Sequence, residues 1–415
     1  MKVEADGFIG TVMAIESIAD AAVLLHGPDG CRKNLSVLSA RKFPRENGCS
    51  LDTPFYRGLP KVPCTGLSSL DYIHGSYLKV SDGLASMRGY GYPLIAVVCT
   101  PGASLIGDDI SKAVAERGME DSVLVIGDNH MSESLNSAWD VTICEALDKI
   151  WAGRGARTRK DTVNLLGLSI LLKDWPTVVD EFTRIMSMMG LEVVSCPGAG
   201  SSVEALASSA EAEFNVALYP DNAALTSAKY LREYGIPTVS TGCAPVGFEE
   251  TERLIHRVAD VTGRDPAKAL DYIRVFKERA YRCMVASEAN VDGRTFSVWG
   301  DPCVVSPLTS WLHSSLRMMP VSVCYTDCTS EDCRDGLASY LSGYGLEDVI
   351  GADSGAHVDY LFCDGNTAHT EEMAGCCGRG VDIMFPSKLT FDFRPSPILG
   401  PSGAMYLLDS IINPF

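Results

Sequence analysis

The sequence predicts an α/β protein built on parallel sheets. Three observations predict it: short apolar runs, Gly or Pro breaks directly behind them, and helical stretches after the breaks, repeated many times along 415 residues. The apolar runs fall at 21–25, 94–99, 122–126, 164–171, 191–196, 215–219 and 238–241, then at 295–299, 321–325, 360–363 and 382–385. Most are continuous rather than alternating, the pattern of strands covered on both faces. Helical stretches follow at 108–117, 176–189, 201–209, 222–234, 248–261 and 331–342. So many strands exceed one sheet. The basic, Gly-rich segment 151–160 (WAGRGARTRK) reads as a linker, and a second boundary falls in the helical stretch 266–288, before Arg294. Three Rossmann-like domains result, over 1–155, 156–285 and 286–415, each of ordinary domain size.

Composition narrows the function. With 46% hydrophobic and 21% charged residues the chain is an ordinary globular one. Its net charge of −18 disfavours nucleic acid and acidic membranes as partners. No run approaches the ~18 consecutive apolar residues of a membrane span. Met1-Lys2-Val3-Glu4-Ala5-Asp6 lacks the basic-then-apolar order of a signal peptide, which predicts a cytoplasmic protein. Fifteen cysteines in that compartment are thiols or metal ligands rather than a disulfide framework, and suggest an anaerobic setting or bound iron–sulfur.

No G-x-x-x-x-G-K-[ST] loop occurs, so ATP hydrolysis by that route is not expected of this chain. Gly198-Ala-Gly200-Ser-Ser is a fragment of a dinucleotide fingerprint without its third glycine, and reads as a plain helix cap. His26-Gly27-Pro28-Asp29-Gly30-Cys31 is more specific: a strand, a tight turn and a cysteine at a helix start, where backbone N–H groups and the helix dipole favour a thiolate. Cys99 repeats the logic, closing an apolar run and opening Thr100-Pro101-Gly102-Ala103. Ligands gather at the carboxyl ends of parallel strands. Two buried core cysteines are the competing reading.

These segments, with VVCTPGASLIGDDI (97–110), Gly242-Cys-Ala-Pro-Val-Gly-Phe-Glu-Glu-Thr-Glu-Arg253, Leu70-Asp-Tyr-Ile-His-Gly75 through Asp82-Gly83-Leu84, and Leu399-Gly400-Pro401-Ser402-Gly403-Ala404 with Ile411-Ile412-Asn413, resemble the nitrogenase component 1 family. That family includes the nitrogenase molybdenum–iron protein subunits, their cofactor-assembly scaffolds, the dark-operative protochlorophyllide and chlorophyllide reductases, and a nickel-tetrapyrrole reductive cyclase. The resemblance spans essentially the whole chain. It implies a nitrogenase component 1-like fold with an active cleft between domains and an N-terminal cluster-binding domain. Cys31 and Cys99 would hold an iron–sulfur cluster at a subunit interface, with Gly27, Gly30 and Gly102 bringing backbone to it. A third family cysteine falls where Asp6 stands, which argues against a full eight-iron cluster. Two cysteines from each of two chains suit a bridging [4Fe–4S] cluster, in a homodimer or a heterodimer with a homologous subunit. In a heterodimer the resemblance to protochlorophyllide reductase makes Asp6 a candidate oxygen ligand, and Cys49 or Cys64 could replace the missing thiol.

At the positions where nitrogenase anchors its molybdenum cluster the sequence places Tyr219 and Leu399, neither a ligand of the same kind, so dinitrogen reduction is not expected. The cleft is left for another metallocluster, a tetrapyrrole or a smaller organic substrate. Cys324, Cys328 and Cys333 are either ligands or part of a helix entry; Cys376-Cys377 read as a turn, and Cys243 as internal packing. His26 is a candidate for a hydrogen bond to the cluster, His74 a support for the same loop, and His313, His357 or His369 a candidate proton donor. The function expected is the catalytic subunit of an ATP-dependent reductase whose iron-protein partner hydrolyses ATP and delivers low-potential electrons. A cluster-assembly scaffold and a structural subunit of a heterodimeric reductase are the alternatives.

Overall fold

The structure, a computed structural model, describes residues 5–43, 55–56, 59–153, 155, 157–287, 291–326, 330–352, 355–387 and 392–413. Cys49 and Cys328 lie outside the described residues. The chain forms two compact units, Ala5–Arg157 with Ser195–Glu211, and Thr158–Val194 with Ala212–Phe415.

In the first unit the strands are β1 (Ala21–His26), a minute antiparallel pair β2 (Phe55–Tyr56) and β3 (Leu59–Pro60), then β4 (Leu94–Cys99) and β5 (Val123–Ile126). β1, β4 and β5 make a parallel sheet in that order. Every residue of β1 and β4 is buried, which is why both read as unbroken apolar runs. Leu24, Ile95 and Val97 meet Val80, Leu84 and Met87 in the core, each such side chain stabilising by about 1.5–3 kcal/mol. The segment Ser195–Glu211 returns to this unit. Gly200 N–H donates to Ser17 O and Ala19 N–H to Ser201 O, both at 3.0 Å. Val203 N–H donates to Asp20 Oδ1 at 2.8 Å, and the Trp151 indole to Leu206 O at 3.0 Å.

The second unit holds two further sheets. β6 (Thr162–Leu166), β7 (Glu192–Ser195), β8 (Phe214–Ala217) and β9 (Thr238–Val239) order as β7-β6-β8-β9. β10 (Thr295–Gly300), β11 (Met319–Tyr325), β12 (Val358–Asp364) and β13 (Cys377–Met384) order as β11-β10-β12-β13. Apart from β7, whose following segment Ser195–Glu211 belongs to the first unit, each of these strands is followed by a helix, the connection that parallel pairing requires. Three parallel sheets therefore match the expected class.

Three differences from the sequence reading have clear causes. The run expected at 164–171 stops as a strand at Leu166, because the chain turns at Gly167 with φ +82°, pressed on the Tyr219 backbone. The helix Gly7–Glu16 was hidden: eight of its ten residues are buried, leaving no polar face to reveal the helical period. Helix Pro302–Leu316 was hidden too, because Pro307 inside it reads as a breaker.

Candidate functional site

β1 and β4 run in register, with His26 paired to Cys99 at their carboxyl ends. From β1 the chain turns through Gly27-Pro28 into helix Asp29–Lys42, setting Cys31 in its first turn, where the residue is exposed. From β4 it passes through Thr100 into the short helix Pro101–Ser104. A third segment joins them. Leu25 bridges to Cys64: Leu25 N–H donates to Pro63 O at 2.8 Å, and Thr65 N–H returns to Leu25 O at 3.0 Å. Cys64 Sγ then lies 3.9 Å from Asp29 Oδ1, two residues ahead of Cys31. Cys31, Cys64 and Cys99 are thus delivered to one end of one sheet by three separate segments.

The glycines differ. Gly27 has no room for a side chain: an added Cβ would lie 2.8 Å from Thr100 Oγ1, while its N–H donates to Thr65 Oγ1 at 3.1 Å. Gly30 faces open space, and Gly102 looks onto the Tyr72 ring 3.4 Å from a built Cβ. Both sit in helical first turns rather than in tight turns.

His26 is buried, and its ring is engaged on both sides. Nδ1 lies 3.1 Å from Thr65 Oγ1, and Nε2 lies 3.3 Å from Ser76 Oγ and 3.4 Å from Asp108 Oδ2. Asp108 also accepts the Ser76 N–H at 3.0 Å. Burial lowers the His26 pKa against the pull of Asp108. The ring therefore pins the Cys64 loop and the 76–108 region to the strand end. Cys99 does not follow the expectation of a favoured thiolate: burial first, then Asp108, pushes its thiol up to about 11. Burial likewise raises Cys64. A cavity of about 250 Å³ opens beside Cys99, lined by His26, Ala103, Asp108, Ile110 and Ile126 among others.

Asp6 serves as the N-cap of helix Gly7–Glu16, its Oδ1 accepting Ile9 N–H at 3.0 Å. His74 is exposed beside the same loops. Leu70, Tyr72, Ile73, Leu78 and Leu105 are large apolar side chains exposed in the segments that flank the cysteines, and Val37 is another on the Cys31 helix. Two or three thiols per chain fall short of the four that a cubane cluster takes. The donor set fits such a cluster only when a second chain completes it.

In the second unit Tyr219 is buried and donates its hydroxyl to Asp301 Oδ2 at 2.6 Å, while Thr326 Oγ1 donates to Asp301 Oδ1 at 2.5 Å. Burial raises the Tyr219 hydroxyl far above its usual range. Leu399 is fully buried at the N-cap of helix Gly400–Ile412. These residues do not fit a metallocluster anchored as in nitrogenase. Cys324 and Cys333 turn apart, Cys324 Sγ toward Ala352 O at 3.9 Å and Cys333 Sγ toward Gly242 O at 2.9 Å. Cys333 instead shares a cavity of about 420 Å³ with Cys243, which is only half-buried. Cys376 sits in the bend before β13 and Cys377 opens that strand. His313 Nδ1 pairs with Tyr340 OH at 2.8 Å, and His357 and His369 are exposed. Sequence reasoning missed the Thr65–His26–Ser76–Asp108 network, which no local spacing encodes.

Comparison with known proteins extends this geometry. A sequence model of the family described as nitrogenase component 1 type oxidoreductase matches residues 7–415. One subunit of the light-independent protochlorophyllide reductase of Trichormus variabilis (strain ATCC 29413 / PCC 7937) is 25% identical over 368 residues, covering 82% of this chain and 71% of the relative. The corresponding protochlorophyllide reductase polypeptide of Halorhodospira halophila (strain DSM 244 / SL1) is 31% identical over 186 residues, covering 41% of this chain and 35% of the relative. A solved structure of nitrogenase Cp1 at pH 6.5 superposes with a TM-score of 0.77 at 15% identity, covering 99% of this chain and 92% of that one, a likeness of fold.

Proposed function

Because this chain belongs to the nitrogenase component 1 type oxidoreductases, we propose that it is the catalytic subunit of a nitrogenase-like reductase served by a separate, ATP-hydrolysing iron protein. The observation that carries the reading is the convergence of Cys31, Cys64 and Cys99 on the carboxyl ends of β1 and β4. Cys31 and Cys99 would hold a [4Fe–4S] cluster shared with a second subunit, with Cys64 as a further thiol; such a cluster supplies one-electron chemistry at low potential. The chain's own residues prepare the place. His26, clamped between Thr65 and Ser76, fixes the strand ends, Gly27 allows the close approach to Thr100, and Asp6 secures the N-terminal helix.

The exposed apolar side chains at Leu70, Tyr72, Ile73, Leu78 and Leu105 support a subunit interface at this end, since large apolar groups gathered on a surface mark association sites. The buried Tyr219–Asp301 pair and Leu399 support a substrate other than dinitrogen. The protochlorophyllide reductase relatives suggest a tetrapyrrole. Among the described residues, no helix is long and apolar enough to cross a membrane.

The test is iron and sulfide content with EPR on protein purified without oxygen and sized in solution. About four irons per dimer, with a dithionite-reduced [4Fe–4S] signal, is the expected result. Failure of the protein to take up iron after reconstitution would leave Cys31 and Cys99 as ordinary surface and core residues.

A further inference from the structure

The cavity that Cys243 and Cys333 share carries a dithiol that the proposed reaction does not use. Cys243 lies in the loop between β9 and the helix Gly247–Thr262, and Cys333 in the first turn of helix Glu331–Ser342. The loop is held on both sides of Cys243. Its carbonyl accepts the Thr241 hydroxyl at 3.0 Å, Gly242 N–H donates to Ser240 Oγ at 3.0 Å, and Ala244 N–H donates to Cys303 O at 2.9 Å. Against this fixed loop Cys333 Sγ donates to Gly242 O at 2.9 Å. That oxygen belongs to the peptide group that carries the Cys243 nitrogen, which puts the Cys333 sulfur within about 6 Å of Cys243 Cα. The two thiols also act on each other. Hydrogen bonding to Cys243, ahead of burial, raises the Cys333 thiol above its usual range. Their exposures differ, Cys333 being buried and Cys243 half-buried. The cavity, of about 420 Å³, suits a small polar molecule, because Ser306, Ser310, Glu250 and Arg253 stand in its walls beside Trp311.

We propose that Cys243 and Cys333 are a redox-active pair, closed to a disulfide by a hydroperoxide. Cys243 Sγ, the more accessible sulfur, attacks one peroxide oxygen. The O–O bond breaks, the departing oxygen takes the thiol proton and leaves as water, and Cys243 becomes a sulfenic acid. Cys333 Sγ then displaces the hydroxyl from the Cys243 sulfur. The S–S bond forms, and the leaving hydroxide takes the Cys333 proton as a second water. Two thiols give up two electrons, and the peroxide takes them. The bond staples helix Glu331–Ser342 to the loop on which the C-terminal helix also rests, since Gly400 N–H donates to Pro245 O at 2.8 Å.

The test treats the full chain, as purified without oxygen, with rising equivalents of hydrogen peroxide, then alkylates and digests it without reductant. Mass spectrometry should find the Cys243 and Cys333 peptides joined and lighter by two hydrogens, with fragment ions placing the bond at Cys333 rather than Cys324. Cys333→Ser should leave Cys243 as a sulfenic acid that dimedone traps, and Cys243→Ser should leave Cys333 reduced, both with the fold intact by circular dichroism. The joined form should melt several degrees above the reduced one, because the bond restricts the unfolded chain, and neither variant should show that shift. Cys283→Ser, at an exposed cysteine elsewhere, should change none of this. Full alkylation of both Cys243 and Cys333 after peroxide, a bond from either to a different cysteine, or the same melting shift in either variant would each overturn the pair.

Discussion

The carboxyl end of the first sheet and the Tyr219–Leu399 region of the second unit are built on opposite plans. At the first, thiols from three segments converge, Cys31 is exposed, Gly30 faces open space and large apolar side chains stand in water. At the second, the residues at the matched positions are engaged or buried: Asp301 accepts from both Tyr219 and Thr326, and Glu181 accepts from Ser402 and Tyr272 beside the buried Leu399. One region leaves a thiol and apolar side chains open to solvent, and the other encloses the residues at the matched positions. The lesson is that a position aligned with a family ligand has to be read with its neighbours: Tyr219 is taken up by Asp301, whereas Cys31 is left open.

The sharpest way to break the comparison is at the thiols. Cys99→Ala or Cys31→Ala should abolish the brown chromophore and the iron measured with it. Full iron in both variants would sink the assignment. Cys64→Ala should lower iron by less than either, as expected of a thiol that supplements the pair. Gly27→Ala should cost about 1–3 kcal/mol, because the new methyl has to displace the buried Thr100 side chain; urea melts would read it. Tyr219→Phe should cost about 1–2 kcal/mol by removing the buried hydroxyl that donates to Asp301, with iron unchanged. If it lost iron instead, the two regions would not be separate in function.

A smaller effect is expected of pH. Burial holds the Glu181 carboxyl above its ordinary pKa. The folded state therefore binds its proton more tightly than the unfolded chain does. The contribution is fully present below the unfolded pKa and is lost as pH rises through the folded one. Glu181→Gln should flatten that part of the stability profile in urea melts across the acid-to-neutral range. The smallest effect belongs to Gly30→Ala, within about 0.5–1 kcal/mol and in the stabilising direction, since the residue lies in a helix with open space around it. A fall in dimer or iron without loss of stability would show that the open space is used.

The sheets were legible in the sequence because strands buried on both faces cannot hide their continuity; β4 falls on the predicted residues. Cys31 and Cys99 were legible because each lies at or just beyond a strand end. Cys64 was visible only as a cysteine in a long connection. Its place depends on a bridge to Leu25 that no local pattern announces. Tyr219 shows the converse. Its position could be read from sequence, but its partner Asp301 lies 82 residues away.

The return of Ser195–Glu211 to the first unit bears on how the chain is made. Gly200 and Ser201 bond the turn at Ser17 and Ala19, Val203 N–H takes the Asp20 carboxylate, and Leu206 O takes the Trp151 indole. During synthesis, the N-terminal 157 residues emerge first but lack these partners. They cannot reach their finished packing until the ribosome has released the chain through Glu211. A fragment ending at Arg157 should be an incomplete folding unit, and adding the 195–211 peptide in trans should restore its cooperativity.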